Sequence, residues 1–185
     1  MKHLAFILKD TGKEYRSLGG LPVEKTLEKV AQLSQAAIQY GFDQVSFFFK
    51  ESRETLPPNF LDTFPFKFRI LEKGVIPHSS ELPLVNLGFQ FSEKEFLANL
   101  LKGNPDFQFS ENDVQEYMSN LGWVEPDLII FTGGSRRLSD SLTWSMAYSE
   151  LFFSPLSWSE FSLDELERAI AEFFRRERRF GKINE

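Results

Sequence analysis

Residues 126–140 read PDLIIFTGGSRRLSD, and the fold turns on them. Asp127 to Phe131 (DLIIF) carries apolar residues at consecutive positions, as a strand covered on both faces must, and such strands belong to parallel sheets. The strand runs into Gly133-Gly134, followed by Arg136, Arg137 and Ser139. Glycines let backbone N–H groups approach an anion, and arginine offers a fork of donors matched to phosphate oxygens. In open α/β sheets, ligands sit at the carboxyl ends of strands. The segment therefore reads as an anionic site for phosphate or diphosphate. The other reading is a tight turn with solvated arginines.

Working outward, Leu4 to Leu8 is a second buried strand, followed by the polar, glycine-rich loop KDTGKEYRSLGG. Pro22 suits the first turn of a helix. Leu27, Val30, Ala31 and Ile38 then share one helical face, and Gly41 supplies the stop before another strand, Asp43 to Phe49. This β-loop-α-β unit is the signature of a parallel sheet. Residues 50–65, with Pro57, Pro58 and Pro65, read as loop, and Phe66 to Leu71 and Leu84 to Phe91 as strands. Ser92 with Glu95, and Ser110 with Asp113, open helices that run to Leu101 and Leu121. The stretch 142–153, LTWSMAYSELFF, reads as a largely apolar helix or turn. Ser162 and Glu165 cap a last helix with Leu163, Leu166, Ile170 and Phe173 or Phe174 inward. The expected fold is α/β, a mostly parallel central sheet flanked by helices, in one domain over 1–185.

Composition narrows the function. A net charge of −6 argues against broad nucleic-acid binding, which needs a basic face. There is no cysteine, so disulfides, thiolate metal sites and cysteine nucleophiles are excluded. His3 and His78 are too few for a histidine-rich metal site. No signal peptide is visible and no apolar run reaches the ~20 residues that span a bilayer, so a cytoplasmic chain is expected, with peripheral membrane contact left open. The 21 phenylalanines read mainly as core, with an acyl- or isoprenoid-lined cavity as the alternative.

The stretch from Pro126 to Phe153, PDLIIFTGGSRRLSDSLTWSMAYSELFF, resembles the pattern PDLLIRTSGExRLSNFLLWQxAYSELYF of the cis-prenyltransferases of the undecaprenyl diphosphate synthase type. SWSEF (157–161) is similar to that family's W-x-x-F segment, RERRFG (176–181) to its C-terminal ending, and HLAFIL (3–8) to its HVAIIM strand. The resemblance implies a hydrophobic tunnel for a growing chain, a dimer and Mg²⁺. It implies that Gly134, Arg137 and Ser139 hold the diphosphate of isopentenyl diphosphate. By the same resemblance Glu150 helps bind the metal in the neighbouring subunit, and Arg179 and Gly181 form an R-x-G motif that reaches the partner's diphosphates.

The departures are as specific. Where the family has R-T-S-G-E, this chain has Phe131, Thr132, Gly133, Gly134 and Ser135. Where the family has M-D-G-N-G-R-W, it has Leu8, Lys9, Asp10, Thr11, Gly12, Lys13 and Glu14. The family's essential aspartate position thus holds Lys9, and Lys13 stands for the arginine that follows. A protonated lysine cannot ligate a metal, and the released diphosphate must be neutralised. A one-residue slip of the loop brings Asp10 to the site instead; alternatively Lys9 contacts diphosphate as a point charge. Three readings stay open. The chain is a divergent enzyme acting on isopentenyl diphosphate and an allylic diphosphate, the non-catalytic subunit of a heterodimer with a catalytic homologue, or a homodimeric isoprenoid-diphosphate-binding protein without turnover.

Overall fold

The structure, a computed structural model, describes residues 1–8, 17–56, 64–103, 110–134 and 136–176. Strand β1 (His3–Ile7) is buried at every position, with β4 (Gln44–Phe49) on one side and β7 (Leu128–Phe131) on the other. The six-stranded sheet also contains β5 (Phe68–Glu72), β6 (Leu84–Phe89) and β8 (Glu150–Phe153), in the order β5-β6-β4-β1-β7-β8. All of its pairings are parallel, with Leu4 opposite Val45 and Leu128. A two-residue ladder, β2 (Ser17–Leu18) with β3 (Leu21–Pro22), forms a small hairpin across Gly19 and Gly20 within the segment expected to be loop. Positive φ at both glycines permits that tight turn, and a side chain at Gly19 would lie 2.6 Å from the Trp158 ring.

Alternation along the strands divides the interior into two layers. Leu4, Phe6, Val45, Phe47, Val85, Leu87, Leu128 and Ile130 face α1 (Val23–Gln39) and the last helix, α4 (Leu163–Arg175), where Trp158 and Phe161 fill the space between. Ala5, Ile7, Phe48, Ile129 and Phe131 face α2 (Glu93–Gly103) and α3 (Glu111–Asn120). Many of the phenylalanines are core in this literal sense: Phe6 stacks on Phe47 at 4.7 Å and meets Phe161 edge-on. Full burial of one such ring contributes roughly 1.5–3 kcal/mol.

Helix ends follow local chemistry. Pro22 sits at the N-cap of α1, one place ahead of the first turn. At the other end Gly41 (φ +87°) donates to Ile38 O and Phe42 N to Ala37 O, a Schellman closure with Phe42 folded back onto the core. The same pair of bonds ends α3 at Gly122 and Trp123. Ser110 and Asp113 cap each other's backbone at the start of α3, as the sequence pattern predicts.

Two expectations are corrected in part. Leu163, expected on the inner face of the last helix, is exposed at its open first turn. Of the helix or turn expected over residues 142–153, the turn holds through Tyr148, but Glu150–Phe153 pairs with β7 as the edge strand. Phe152 is buried while Leu151 and Phe153 are half-buried, a pattern too short for period 2 to separate from period 3.6.

A polar row crosses the core beneath the rings. Arg69 Nε donates to Asn86 Oδ1 (2.6 Å), Asn86 Nδ2 to Ser46 Oγ (2.8 Å), and Ser46 Oγ to His3 Nε2 (2.6 Å). His3 Nδ1 then donates to Val124 O. Every member is buried; Arg69, Asn86 and Ser46 are partners in register across β5, β6 and β4, and His3 joins from two positions earlier on β1.

Candidate diphosphate site and family

Chain connections leave β1 toward β4 and leave β7 toward β8, so the topology switches direction between β1 and β7. At such a switch the carboxyl ends of adjacent strands open a crevice. Thr132 N donates to Ile7 O (3.2 Å) and Leu8 N to Phe48 O (3.1 Å). The end of β1 and the Gly133-Gly134 turn therefore share one rim, although they are far apart in sequence. Lys9, Asp10 and Lys13 follow Leu8 and lie outside the described residues, as do Ser135, Arg179 and Gly181.

The Gly-Gly turn differs from the expectation drawn for its backbone. Gly133 N donates to Leu156 O (2.7 Å) and Gly134 N to Ser154 O (3.0 Å). Both N–H groups are engaged within the chain, so an anion at this rim would meet side chains instead. The glycines are required by conformation, with φ of +82° and +67°. Behind the turn, Ser154 Oγ donates to Glu165 Oε1 (2.6 Å), and Arg168 closes on the same carboxylate at 2.7 Å. Burial opposes the Glu165 charge, but Arg168 and Ser154 outweigh it and hold its carboxyl below the usual range.

Past the turn, Arg136 and Arg137 are exposed on the rim. The Ser139 hydroxyl accepts from Ser141 N (3.3 Å) and starts a single 3₁₀ turn, Asp140–Leu142. Phe131, at the family's arginine position, is fully buried and stacks on Phe153 at 4.8 Å. It presents no donor to a ligand.

Glu93 was not legible as a site residue. It is fully buried in the first turn of α2, and its carboxylate accepts from Trp144 N (2.5 Å), Ser145 N (3.1 Å) and Ser145 Oγ. Burial pushes its carboxyl above the usual value while these donors pull it down. The available signal was its spacing: Glu93, Phe96 and Leu100 share the buried face of α2, where an acid is out of place.

Glu150 is set apart from the rim. It opens β8 at the amino end of the sheet, while Gly133 lies past the carboxyl end of β7. Its Oε2 is 2.7 Å from Arg176 Nη1, and Arg176 also pairs with Glu172. Within one chain the structure does not bring Glu150 to Arg137 and Ser139. Among the described residues no three His, Cys, Asp or Glu side chains gather to hold a metal ion.

A second hollow of about 210 Å³ lies at the carboxyl ends of β4, β5 and β6. Arg53 and Lys73 line it together with Glu54 and Glu72, over Phe89 and Gln90. Its opposed charges give it no clear preference for an anion. No helix of the described residues is long and apolar enough to cross a membrane.

The family model described as "Putative undecaprenyl diphosphate synthase" matches residues 84–181, slightly more than half of the chain. The chain belongs to the undecaprenyl diphosphate synthase family. Among curated relatives, the isoprenyl transferase of Helicobacter pylori (strain 26695) is 31% identical over 140 residues, covering 74% of this chain and 56% of the relative. The isoprenyl transferase of Porphyromonas gingivalis is 50% identical over 72 residues, covering 39% of this chain and 28% of the relative. In Buchnera aphidicola the similar protein is the ditrans,polycis-undecaprenyl-diphosphate synthase specific for (2E,6E)-farnesyl diphosphate, 43% identical over 77 residues, covering 42% of this chain and 31% of the relative. The chain thus spans about half or less of the length of these curated relatives. A "probable undecaprenyl diphosphate synthase" from Campylobacter jejuni shares the fold at TM-score 0.69 and 20% identity, covering 98% of each chain. Lavandulyl diphosphate synthase from Lavandula x intermedia shares it at TM-score 0.62 and 17% identity, again over 98% of each. The rim between β1 and β7 is therefore a feature of an undecaprenyl diphosphate synthase fold, and the family match covers its Gly133–Ser139 side.

Proposed function

We propose that the chain is an undecaprenyl diphosphate synthase-like prenyltransferase that takes isopentenyl diphosphate and an allylic diphosphate at the rim between β1 and β7. The observation that carries this reading is the convergence of the end of β1 and the Gly133-Gly134 turn at the switch point of a parallel sheet. Arg137 and Ser139 supply side-chain donors to the diphosphate of isopentenyl diphosphate beside Gly134. Lys13 and Asp10, from the loop after β1, serve the allylic diphosphate. The chemistry ionises that allylic diphosphate, so charge grows on the leaving group and is met by cations and donors. A hydrophobic tunnel for the product, a cytoplasmic location and a dimer in which Arg179 and Gly181 serve the second copy belong to the same reading. Mg²⁺ does too, on condition that Glu150 exchanges Arg176 for a metal or that the loop after β1 supplies the acids.

The test is the purified chain with isopentenyl diphosphate, farnesyl diphosphate and MgCl₂, with products separated by chain length. Condensation is expected, with Arg137→Ala lowering kcat/KM roughly a hundredfold for loss of a charged hydrogen bond to phosphate. Asp10→Ala should abolish turnover, and retained activity would sink the slipped-loop idea. Lys9 at the aspartate position is what keeps a second reading in view. A chain that is inactive alone but activates a catalytic homologue is the non-catalytic subunit. One that binds diphosphate with neither effect is a binding protein.

A further inference from the structure

Between Thr132 and Ser149 the chain crosses from the end of β7 to the start of β8, and its described residues form turns and one short 3₁₀ segment with no α-helix among them. Several interactions hold this crossover to the body of the protein, with Trp144 and Met146 packed against the core beside it. Leu142 is buried among the residues facing α2 and α3, and Trp123 Nε1 donates to Ser145 Oγ at 3.1 Å. Near the end, Ser149 Oγ donates to Pro126 O at 2.6 Å. In its middle, the Glu93 carboxylate takes two successive backbone N–H groups and a hydroxyl. A buried carboxylate without a cation costs several kcal/mol unless hydrogen bonds satisfy it. No cation pairs with Glu93 among the described residues, so its three crossover donors are what offset that cost. Arg137 and Ser139 lie on the same crossover, within seven residues of Trp144.

We infer that Glu93 is a positioning residue for the diphosphate rim: it fixes the crossover that carries Arg137 and Ser139, and so sets the affinity of that rim for diphosphate. The inference rests on the proposed reading of the rim. Glu93 itself touches no ligand. It acts through Trp144 and Ser145, and through the 3₁₀ turn that Ser139 starts. A glutamine at this position keeps the size of the side chain. Its amide oxygen can keep the Trp144 and Ser145 N–H groups only if its N–H₂ takes the other place, against Ser145 Oγ, so the Ser145 hydroxyl loses its acceptor and the charge that holds both N–H groups is gone.

Glu93→Gln is compared with wild type in inorganic diphosphate binding by calorimetry, in amide exchange and in Tm. Ile170→Val, on the far face, is the control for a general loss of stability. Exchange over residues 136–146 is expected to accelerate roughly tenfold in Glu93→Gln, with β1 and β4 unchanged, and the diphosphate Kd to rise roughly tenfold. Ile170→Val should leave both unchanged. Unaltered exchange over 136–146 would overturn the role of Glu93 whatever the ligand data show. Faster exchange with unaltered diphosphate affinity would overturn its link to the rim. A wild-type chain without diphosphate affinity would overturn the reading of the rim, while the exchange pattern still reports on Glu93 as an anchor.

Discussion

Protonating His3 would break a donor chain that begins at Arg69, because Ser46 already gives its proton to His3 Nε2. Burial dominates, and the positive charge of Arg69 adds to it; together they lower the His3 pKa from 6.5 to about 4 against the pull of Val124 O and Asp127. Between those values the unfolded chain binds the proton and the folded chain does not. The contribution to stability is therefore fully present above pH 6.5 and is lost as pH falls toward 4, by about 3 kcal/mol over the window. Urea unfolding at pH 7 and pH 4.5 should show a smaller acid loss in His3→Gln than in wild type, and equal losses would refute the assignment. Sequence alone placed His3 just ahead of a buried strand at Leu4 to Leu8 and counted it among histidines too few for a metal site. It gave no hint of Ser46 or Val124, because such partners depend on strand order.

Helix α3 docks through its carboxyl end. Arg69 donates to Leu121 O (2.8 Å), Gly122 O (3.3 Å) and Pro77 O (3.0 Å), where the helix dipole is negative. Burial lowers the Arg69 pKa to about 10, so it remains a cation at neutral pH. Arg69→Met should cost about 2–4 kcal/mol, since it strands buried acceptors, and the loss should appear first as faster exchange in α3. Removal of the exposed cap by Ser110→Ala should cost about 1 kcal/mol. Equal effects from both would mean that the docking carries no special weight. The cap was readable because Ser110 and Asp113 are neighbours in sequence; the docking was not, because Arg69 appeared only as a basic residue in an alternating strand. Strand β8 escaped for a related reason: at a sheet edge, pairing with β7 decides the conformation, and local pattern does not.

Both core layers of the molecule are built on the same six strands, so neither can come apart without exposing the other. Tryptophan fluorescence, which samples Trp158 on one face and Trp123 on the other, should follow the same urea transition as far-UV circular dichroism. Separate midpoints would show that the layers unfold independently. At this scale the α/β class, the parallel sheet and the rim at the end of β7 were legible, since they rest on buried strands and glycine punctuation. The engaged N–H groups of Gly133 and Gly134 were not, because Ser154 and Leu156 reach them only through the edge strand.

Of the six strands of the sheet β1 is made first, yet it lies in the interior, between β4 and β7. β4 follows soon after it, but β7 leaves the ribosome only after β5, β6, α2 and α3 have been made. Until then the nascent protein carries one open strand edge at Leu4–Ile7, flanked by apolar side chains on both faces. Such an edge invites strand addition from a neighbouring chain. A ribosome-bound fragment stopped near Ser119 should therefore be a strong client for chaperones, and release of the next dozen residues should end that dependence.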